Sequence, residues 1–448
     1  MFNVSAQTPT VEQNIVIGGN VYGGGKSGKM TGSTNVTIYA GEFKDVYGGA
    51  QQADVEGRTF VHLDGEHASD DIFCVNVYGG NDIAGRIGEG TATTTIPDEL
   101  ENVWKTTADN NDKTKNKIDD TWKTFVRTSA CKEKTPSEYG QYAGIDTKML
   151  VVASLFGGSN GDYNYEDETI STKDPVTGVE TTKANPYYGM VRPDITKTYL
   201  EIKGGCLAHV YGGGNNATVT EATTINIDNS SDHLEKAAKY YAYRHDMMSN
   251  PSQVTDYFQS KVHLATFQSK LDSWAFNHAR VFGGNNKATM EIMPKWNLQK
   301  GIIRDLFSGG NEGAMICKNG LLLVIDPAVD PNTGNKEGLE IVNIYGGCRC
   351  ADVRPMEKIT TGANIGQYED VTAYSPEGYK FPAGLSARTL VYGGKIHNVY
   401  GGNDISGKVY GGNAVGIYSS ILGDVYGGGD GSYAYTDNSA LATNEENR

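Results

Sequence analysis

Asn20-Val21-Tyr22-Gly23-Gly24-Gly25, followed by Thr34-Asn35-Val36-Thr37-Ile38, carries the pattern that decides the fold of this chain. Its centre is an aliphatic residue, an aromatic residue and two glycines. That phrase occurs twelve times, with its aromatic at Tyr22, Tyr47, Tyr78, Phe156, Tyr211, Phe282, Phe307, Tyr345, Tyr392, Tyr400, Tyr410 and Tyr426; in the Phe307 copy Ser308 precedes the glycines. Internal repetition on this scale points to a solenoid or array before any globular fold.

The register beyond the phrase turns repetition into structure. Eight residues after the aromatic, the copies led by Tyr22, Tyr47, Tyr211, Phe282, Phe307 and Tyr345 carry Met30, Val55, Val219, Met290, Met315 and Val353, each apolar. Fourteen and sixteen residues after it, three copies carry Val36 and Ile38, Val61 and Leu63, and Ile225 and Ile227. Apolar, polar, apolar is a strand with one buried face. Tyr22 to Tyr47 spans 25 residues, and so does Phe282 to Phe307. A unit that short, with three strands and glycine and asparagine turns, hides its apolar residues only by stacking on its neighbours at about 4.8 Å per rung. The expectation is an all-β chain, a parallel β-helix or β-solenoid of 25-residue coils. Two glycines in every unit would cost a helix interior about 1 kcal/mol each against alanine, which excludes helical repeats.

Within the phrase, the residue before the aliphatic one is usually polar: Asn20, Asp45, Asn76, His209, Arg280, Asp305, Asn343, Asn398. If the aliphatic side chain points inward, the polar residue and the aromatic share the outer face. An outer aromatic ladder is the favoured reading, and a ladder filling the core is the alternative. The glycine pairs are expected to supply positive φ at a corner.

The rhythm breaks at defined places. Solenoid coils are expected over 14–96, a helical or irregular insertion over 97–148 with Trp104, Ile118, Trp122 and Val126 at near-helical spacing, and further coils over 149–227. A helical hairpin insertion follows over 228–279, then a C-terminal solenoid and cap over 280–435 and a polar tail over 436–448. Shorter extrusions run over 163–190, 326–338 and 354–385. Such loops are places where a rigid scaffold displays binding groups, or they are tolerated excursions. Tyr392, Tyr400, Tyr410 and Tyr426 follow one another too closely for full coils, so hairpins or partial turns that cap the stack are expected there.

Thirty-nine Lys and Arg against 54 Asp and Glu give a formal charge of −15, which argues against nucleic acid and anionic membrane surfaces as partners. No apolar run reaches the roughly 20 residues of a membrane span. Residues 1–13 carry neither the basic nor the apolar region of a secretion signal, so the chain is expected to be intracellular or, as the favoured reading, the mature part or a fragment of an exported protein. Six cysteines are too sparse for a disulfide scaffold in 448 residues, and Cys348 and Cys350 are read as ordinary semi-buried thiols rather than a metal or redox pair.

Chemistry is thinly signalled. Oxygen-bearing residues follow several glycine pairs: Asn81-Asp82, Asn215-Asn216, Asn285-Asn286, Asn311-Glu312, Asn403-Asp404 and Asp430. Asp82, Asp404 and Asp430 are weak calcium candidates; an asparagine ladder of structural hydrogen bonds is favoured, and otherwise no cofactor is expected. Asp82 with Arg86 is a weak catalytic candidate, of the kind carbohydrate-active β-helix enzymes use. No nucleophile, zinc, dinucleotide or phosphate-loop motif is present, and the catalytic residues are left unassigned.

The Asn-Val-Tyr-Gly-Gly-Gly phrase with Thr-Asn-Val-Thr-Ile before the next turn resembles repeats of bacterial surface or secreted proteins, adhesin-like β-solenoids. The resemblance covers the chain outside its insertions and implies an extracellular or cell-surface location. The leading expectation is a non-enzymatic adhesin or stalk that binds a glycan or surface protein through its aromatic ladder, Tyr22, Tyr47, Tyr78, Tyr211, Phe282 and Tyr345, and its loops. The alternatives are a polysaccharide lyase or glycoside hydrolase of the β-helix type, and a structural spacer without ligand.

Overall fold

A computed structural model describes residues 15–88, 122–233, 236, 276–358, 361–363, 368–370 and 385–431. The chain is a parallel β-solenoid. Its first face is a run of ten parallel rungs: Val16–Tyr22, Gly41–Tyr47, Ile72–Tyr78, Leu150–Phe156, Cys206–Tyr211, His278–Phe282, the second half of Lys295–Phe307, Leu339–Tyr345, Lys395–Tyr400 and Val425–Tyr426. The register is aromatic on aromatic throughout, Tyr22 on Tyr47, Tyr47 on Tyr78, Tyr78 on Phe156 and onward to Tyr426.

The second face carries the predicted apolar pairs. Thr34–Ile38 lies parallel to Thr59–Asp64 with Val36 on Val61 and Ile38 on Leu63. The row continues through Thr124–Ser129, Ile195–Ile202 and Val219–Asp228 to the first half of Lys295–Phe307. Leu321–Ile325, Ala387–Val391 and Asn413–Ile417 form a further parallel block. The third face is the narrow one, joined between the residues eight past the aromatic by single bridges, Met30 to Val55 and Met290 to Met315, and by the short parallel pair of Met315-Ile316 with Val353-Arg354.

Two interior columns result. Val46, Val77, Leu155, Val210, Val281, Leu306, Ile344 and Val399 from the first face pack against Val61, Val126, Leu200, Ile225 and Leu323 from the second. Val219, Met290, Met315 and Val353 form another column under the third face. Each fully buried aliphatic side chain contributes about 1.5–3 kcal/mol. A polar row reinforces the corner: the hydroxyls of Thr34, Thr59, Thr124 and Thr198 donate to the first-glycine carbonyls of the next rung, Gly48, Gly79, Gly157 and Gly212, at 2.5–2.8 Å.

Three expectations need correction. The glycine pairs of the ladder do not adopt positive φ; it is the close approach of the next rung that excludes a side chain. A Cβ on Gly212 would stand 2.6 Å from both the Gly283 carbonyl oxygen and Ile225 Cδ1. Positive φ occurs instead at Gly394 (90°), Gly411 (82°) and Gly412 (106°), in the two phrases that are not rungs. These phrases resolve the crowded C-terminus: Tyr392 follows the second-face strand Ala387–Val391 and stacks on Tyr418, while Val409 bridges Val353 on the third face. Tyr345, Tyr400 and Tyr426 therefore continue the ladder through full coils rather than hairpins.

Third, residues 124–129 of the predicted 97–148 insertion are a second-face strand, in which Val126 points into the core. Thr124-Phe125-Val126 repeats Thr59-Phe60-Val61 and pairs with it residue for residue. Trp122 packs against Phe125 beside that strand, and Ser137–Tyr142 form a 3-10 turn. The extrusion at 163–190 contains an antiparallel hairpin, Thr169–Lys173 with Glu180–Ala184. The helical expectations for 97–121 and 234–275, and the tail at 436–448, lie outside the described residues apart from Lys236.

Replacing Gly212 by alanine is expected to destabilise the fold by about 1–3 kcal/mol through overpacking. Gly28→Ala, at a position with no atom within 4 Å of the new Cβ, is expected to leave the denaturant midpoint within about 0.5 kcal/mol of wild type. Equal midpoints for the two variants would remove the close-approach explanation.

Candidate functional site

The alternation along each rung puts the aromatic and the polar residue two places before it on the same outer side. Asn20 Nδ2 donates to Tyr22 Oη at 3.1 Å, and the His209 ring lies edge-on to Tyr211. The aromatics are nevertheless closed to solvent. Successive rings from Tyr22 to Tyr426 stack with centroids 4.6–5.1 Å apart and planes within 11°. The seven from Tyr47 to Tyr345 keep only 0–5 % of their surface exposed. Both faces of each of these rings are occupied by neighbouring rings, so no sugar can stack on Tyr47, Tyr78, Tyr211, Phe282 or Tyr345. Tyr22, Tyr400 and Tyr426, toward the ends, keep some exposure.

A second ladder runs beside the rings, four residues past each aromatic. Asn311 Nδ2 donates to Asn286 Oδ1 at 2.8 Å, Asn286 to Asn215 at 2.8 Å, Asn215 to Asn160 at 2.9 Å, and Asn160 to Asp82 Oδ1 at 2.9 Å. Every amide points the same way along the stack. The carboxylate of Asp82 ends the series as an acceptor of three donors, since Tyr22 Oη and Tyr163 Oη also reach it at 2.8 Å. At the other end Arg349 Nη1 donates to Asn311 Oδ1 at 3.3 Å, and its Nε lies 3.8 Å from Asp404 Oδ2. One position earlier, buried Asn81, Asn285 and Asn403 staple successive turns: each side-chain oxygen accepts a backbone N–H from the preceding rung, and each amide donates to turn carbonyls.

The calcium candidates are thereby placed. Asp82 is buried in the turn after the third rung; Asp404 and Asp430 follow the ninth and tenth rungs, and Tyr345 Oη donates to Asp430 Oδ2 at 3.3 Å. Among the described residues no three His, Cys, Asp or Glu side chains gather as a metal would require. Arg86 is exposed while Asp82 is buried, and the Arg86 backbone N–H goes to Asp54 Oδ1 at 2.9 Å. Burial lifts the Tyr22 hydroxyl to about 12 and pushes Tyr163 up as well, with the hydrogen bond to Asp82 adding to it, so both remain protonated donors. Cys348 is enclosed, its Sγ against the Gly313 and Asp352 carbonyls and its thiol raised by burial to about 12; Cys350 is half-buried.

One constellation was not read from the sequence. On the outer side of the second face His62 Nε2 lies 3.1 Å from Ser129 Oγ, and Asp64 follows on the same strand. The residue types are those of a nucleophile, base and orienting acid, and neighbouring rungs bring them together although 67 positions separate His62 from Ser129. The hydrogen bonds do not form that relay. Asp64 accepts from Ser129 Oγ at 3.1 Å and from the His67 ring at 2.9 Å, while His62 Nδ1 is 3.9 Å away. A base must be oriented by the acid through hydrogen-bond contact. The cluster is a clasp between two rungs. Beside it Phe60, Trp122, Phe125 and Tyr199 form an outer aromatic cluster, capped by Arg127, whose Nε donates to Glu201 Oε2 at 2.5 Å.

No helix of the described residues is long and apolar enough to cross a membrane. Compared with family models, curated proteins and solved structures, the chain finds no match in any of the three.

Two histidines give the molecule an acid sensitivity of definite sign. Desolvation lowers His62 from 6.5 to about 4 and His278 from 6.5 to about 3. Both are neutral in the folded chain, His278 Nε2 facing the Asn229 amide at 3.2 Å. Below pH 6.5 the unfolded chain binds protons that the folded chain refuses, so stability falls as the pH is lowered toward the folded values. Between pH about 6.5 and about 5, each group contributes a slope of up to about 1.4 kcal/mol per pH unit. His278→Gln, which keeps an acceptor for Asn229, is expected to roughly halve that slope in denaturant titrations. An unchanged slope would contradict the assignment.

Proposed function

We infer that this chain is a non-enzymatic β-solenoid, a rigid surface-displayed or secreted stalk whose inserted loops bind a glycan or protein partner. The observation that carries this reading is the internal use of its chemical groups. The ring faces of the ladder are stacked on one another, the ladder amides and Asp82 bond among themselves, and among the described residues the nearest approach to a catalytic set is a structural clasp. What stands free is at the periphery. The hairpin of residues 169–184 projects from the coil almost wholly exposed, and its base is anchored by Tyr163 on Asp82 and Tyr165 on the Ile83 carbonyl. Rigid length with display at loops suits a stalk or adhesin better than a cleft enzyme.

A glycan array and pull-down on the full chain, combined with an assay for new reducing or unsaturated sugar ends, tests the reading. Binding without turnover is expected. Replacing residues 169–184 by a short glycine-serine link is expected to reduce binding at least about tenfold while the melting temperature stays within a few degrees. Turnover abolished by a single carboxylate substitution would replace the reading with a carbohydrate-active enzyme, and silence in every assay would leave a spacer.

A further inference from the structure

The first and last rungs among the described residues match each other along the first face. Among the described residues the first rung, Val16–Tyr22, pairs on one side only, with Gly41–Tyr47, and the last, Val425–Tyr426, pairs only with Lys395–Tyr400. Apolar groups stand open at both: Ile15 and Val16 at one end, Val425 and Tyr426, the latter 46 % exposed, at the other. No atom lies within 4 Å of a Cβ built on Gly427 or Gly428, whereas the equivalent glycines of inner rungs abut the backbone ahead of them. We propose that these ends dock on each other, the first rung of a second copy of this chain adding in register to the last rung of the one before, so that copies join head to tail into polar filaments.

The inner rungs show what such a junction would contain. Two places before the aromatic, Asn76 donates to Asp45 at 2.7 Å and Asn343 to Asp305 at 2.9 Å, in each case an asparagine of the later rung reaching an aspartate of the earlier one. Asp424 occupies that place on the last rung and Asn20 on the first, so the junction repeats the same aspartate-then-asparagine pair. The aromatic column continues as Tyr426 on Tyr22 and the aliphatic column as Val425 on Val21. Four places after the aromatic, where inner rungs carry bonded amides, the last rung has Asp430 and the first has Lys26. Opposite charges at one rung spacing attract, and two copies meeting by like ends would set their rungs antiparallel and lose the parallel register that every inner rung keeps. The contact is heterologous and does not close on itself, which generates open filaments rather than dimers.

Sedimentation velocity of the full chain across concentration reads the outcome. The wild type is expected to show an average mass that rises with concentration and falls with added salt. Lys26→Asp alone and Asp430→Lys alone are each expected to raise the concentration needed for assembly at least about tenfold. An equimolar mixture of the two is expected to restore it, because every junction in an alternating filament then carries opposite charges. Asn20→Asp with Asp424→Lys repeats the test on a second row, should Asp430→Lys disturb its contact with Tyr345. A wild type that stays monomeric into the millimolar range, an effect of only one variant of a pair, or mixtures that stay monomeric would each overturn the proposal.

Discussion

The structure depends on one constraint: each backbone rung must lie directly on the next, in register, with nothing between them. Parallel pairing at about 4.8 Å per rung sets the repeat along the stack, and the glycine pair permits it where the chain turns the corner. At Gly212 the space that a methyl group would need is already filled by the Gly283 carbonyl and Ile225. Once register is imposed, equivalent side chains are forced into columns. Aliphatic residues then share an interior, aromatic rings stack face to face, and asparagines bond along the axis. Each column supports the same register, which is the mutual consistency that gives a sequence a single native state.

That economy shapes what the molecule can do. A tyrosine or asparagine on an ordinary surface is available to a ligand; here the same residues, repeated on every rung, satisfy one another. The rings of Tyr47 to Tyr345 have no free face, and Asp82 spends its acceptor capacity on Tyr22, Asn160 and Tyr163. Repetition therefore converts groups with chemical potential into scaffold. Distinct chemistry is left to places where the repeat fails, the insertions and the two ends.

Much of the architecture was legible because a column in space is a period in sequence. Val36 and Ile38 over Val61 and Leu63, and Met290 over Met315, are read directly from spacing after the aromatic. The asparagine ladder was legible for the same reason. What was not legible arose where local pattern and coil register disagree. Tyr392 and Tyr410 carry the phrase but stand on other faces, and only their positive-φ glycines distinguish them. Trp122 and Val126 suit a helix by spacing, yet Thr124-Phe125-Val126 echoes Thr59-Phe60-Val61 and joins that strand. The aromatic ladder faces outward by alternation but is buried by stacking, a consequence of neighbours that no single repeat displays. The clasp of His62, Asp64 and Ser129 was invisible because an insertion hides that its members sit on adjacent rungs.

Disulfide trapping across rungs tests the central claim most directly. Asp45 and Asn76, and Asp305 and Asn343, are register partners on the outer side of the first face, and adjacent parallel strands hold Cα atoms within the roughly 4.4–6.8 Å that a disulfide spans. Paired cysteines at 45 and 76, or at 305 and 343, are expected to form intramolecular disulfides readily under mild oxidation, while a pair at 45 and 209, three rungs apart, is expected not to. Cross-linking at 45 and 209 with none between register partners would contradict the stacked-rung account.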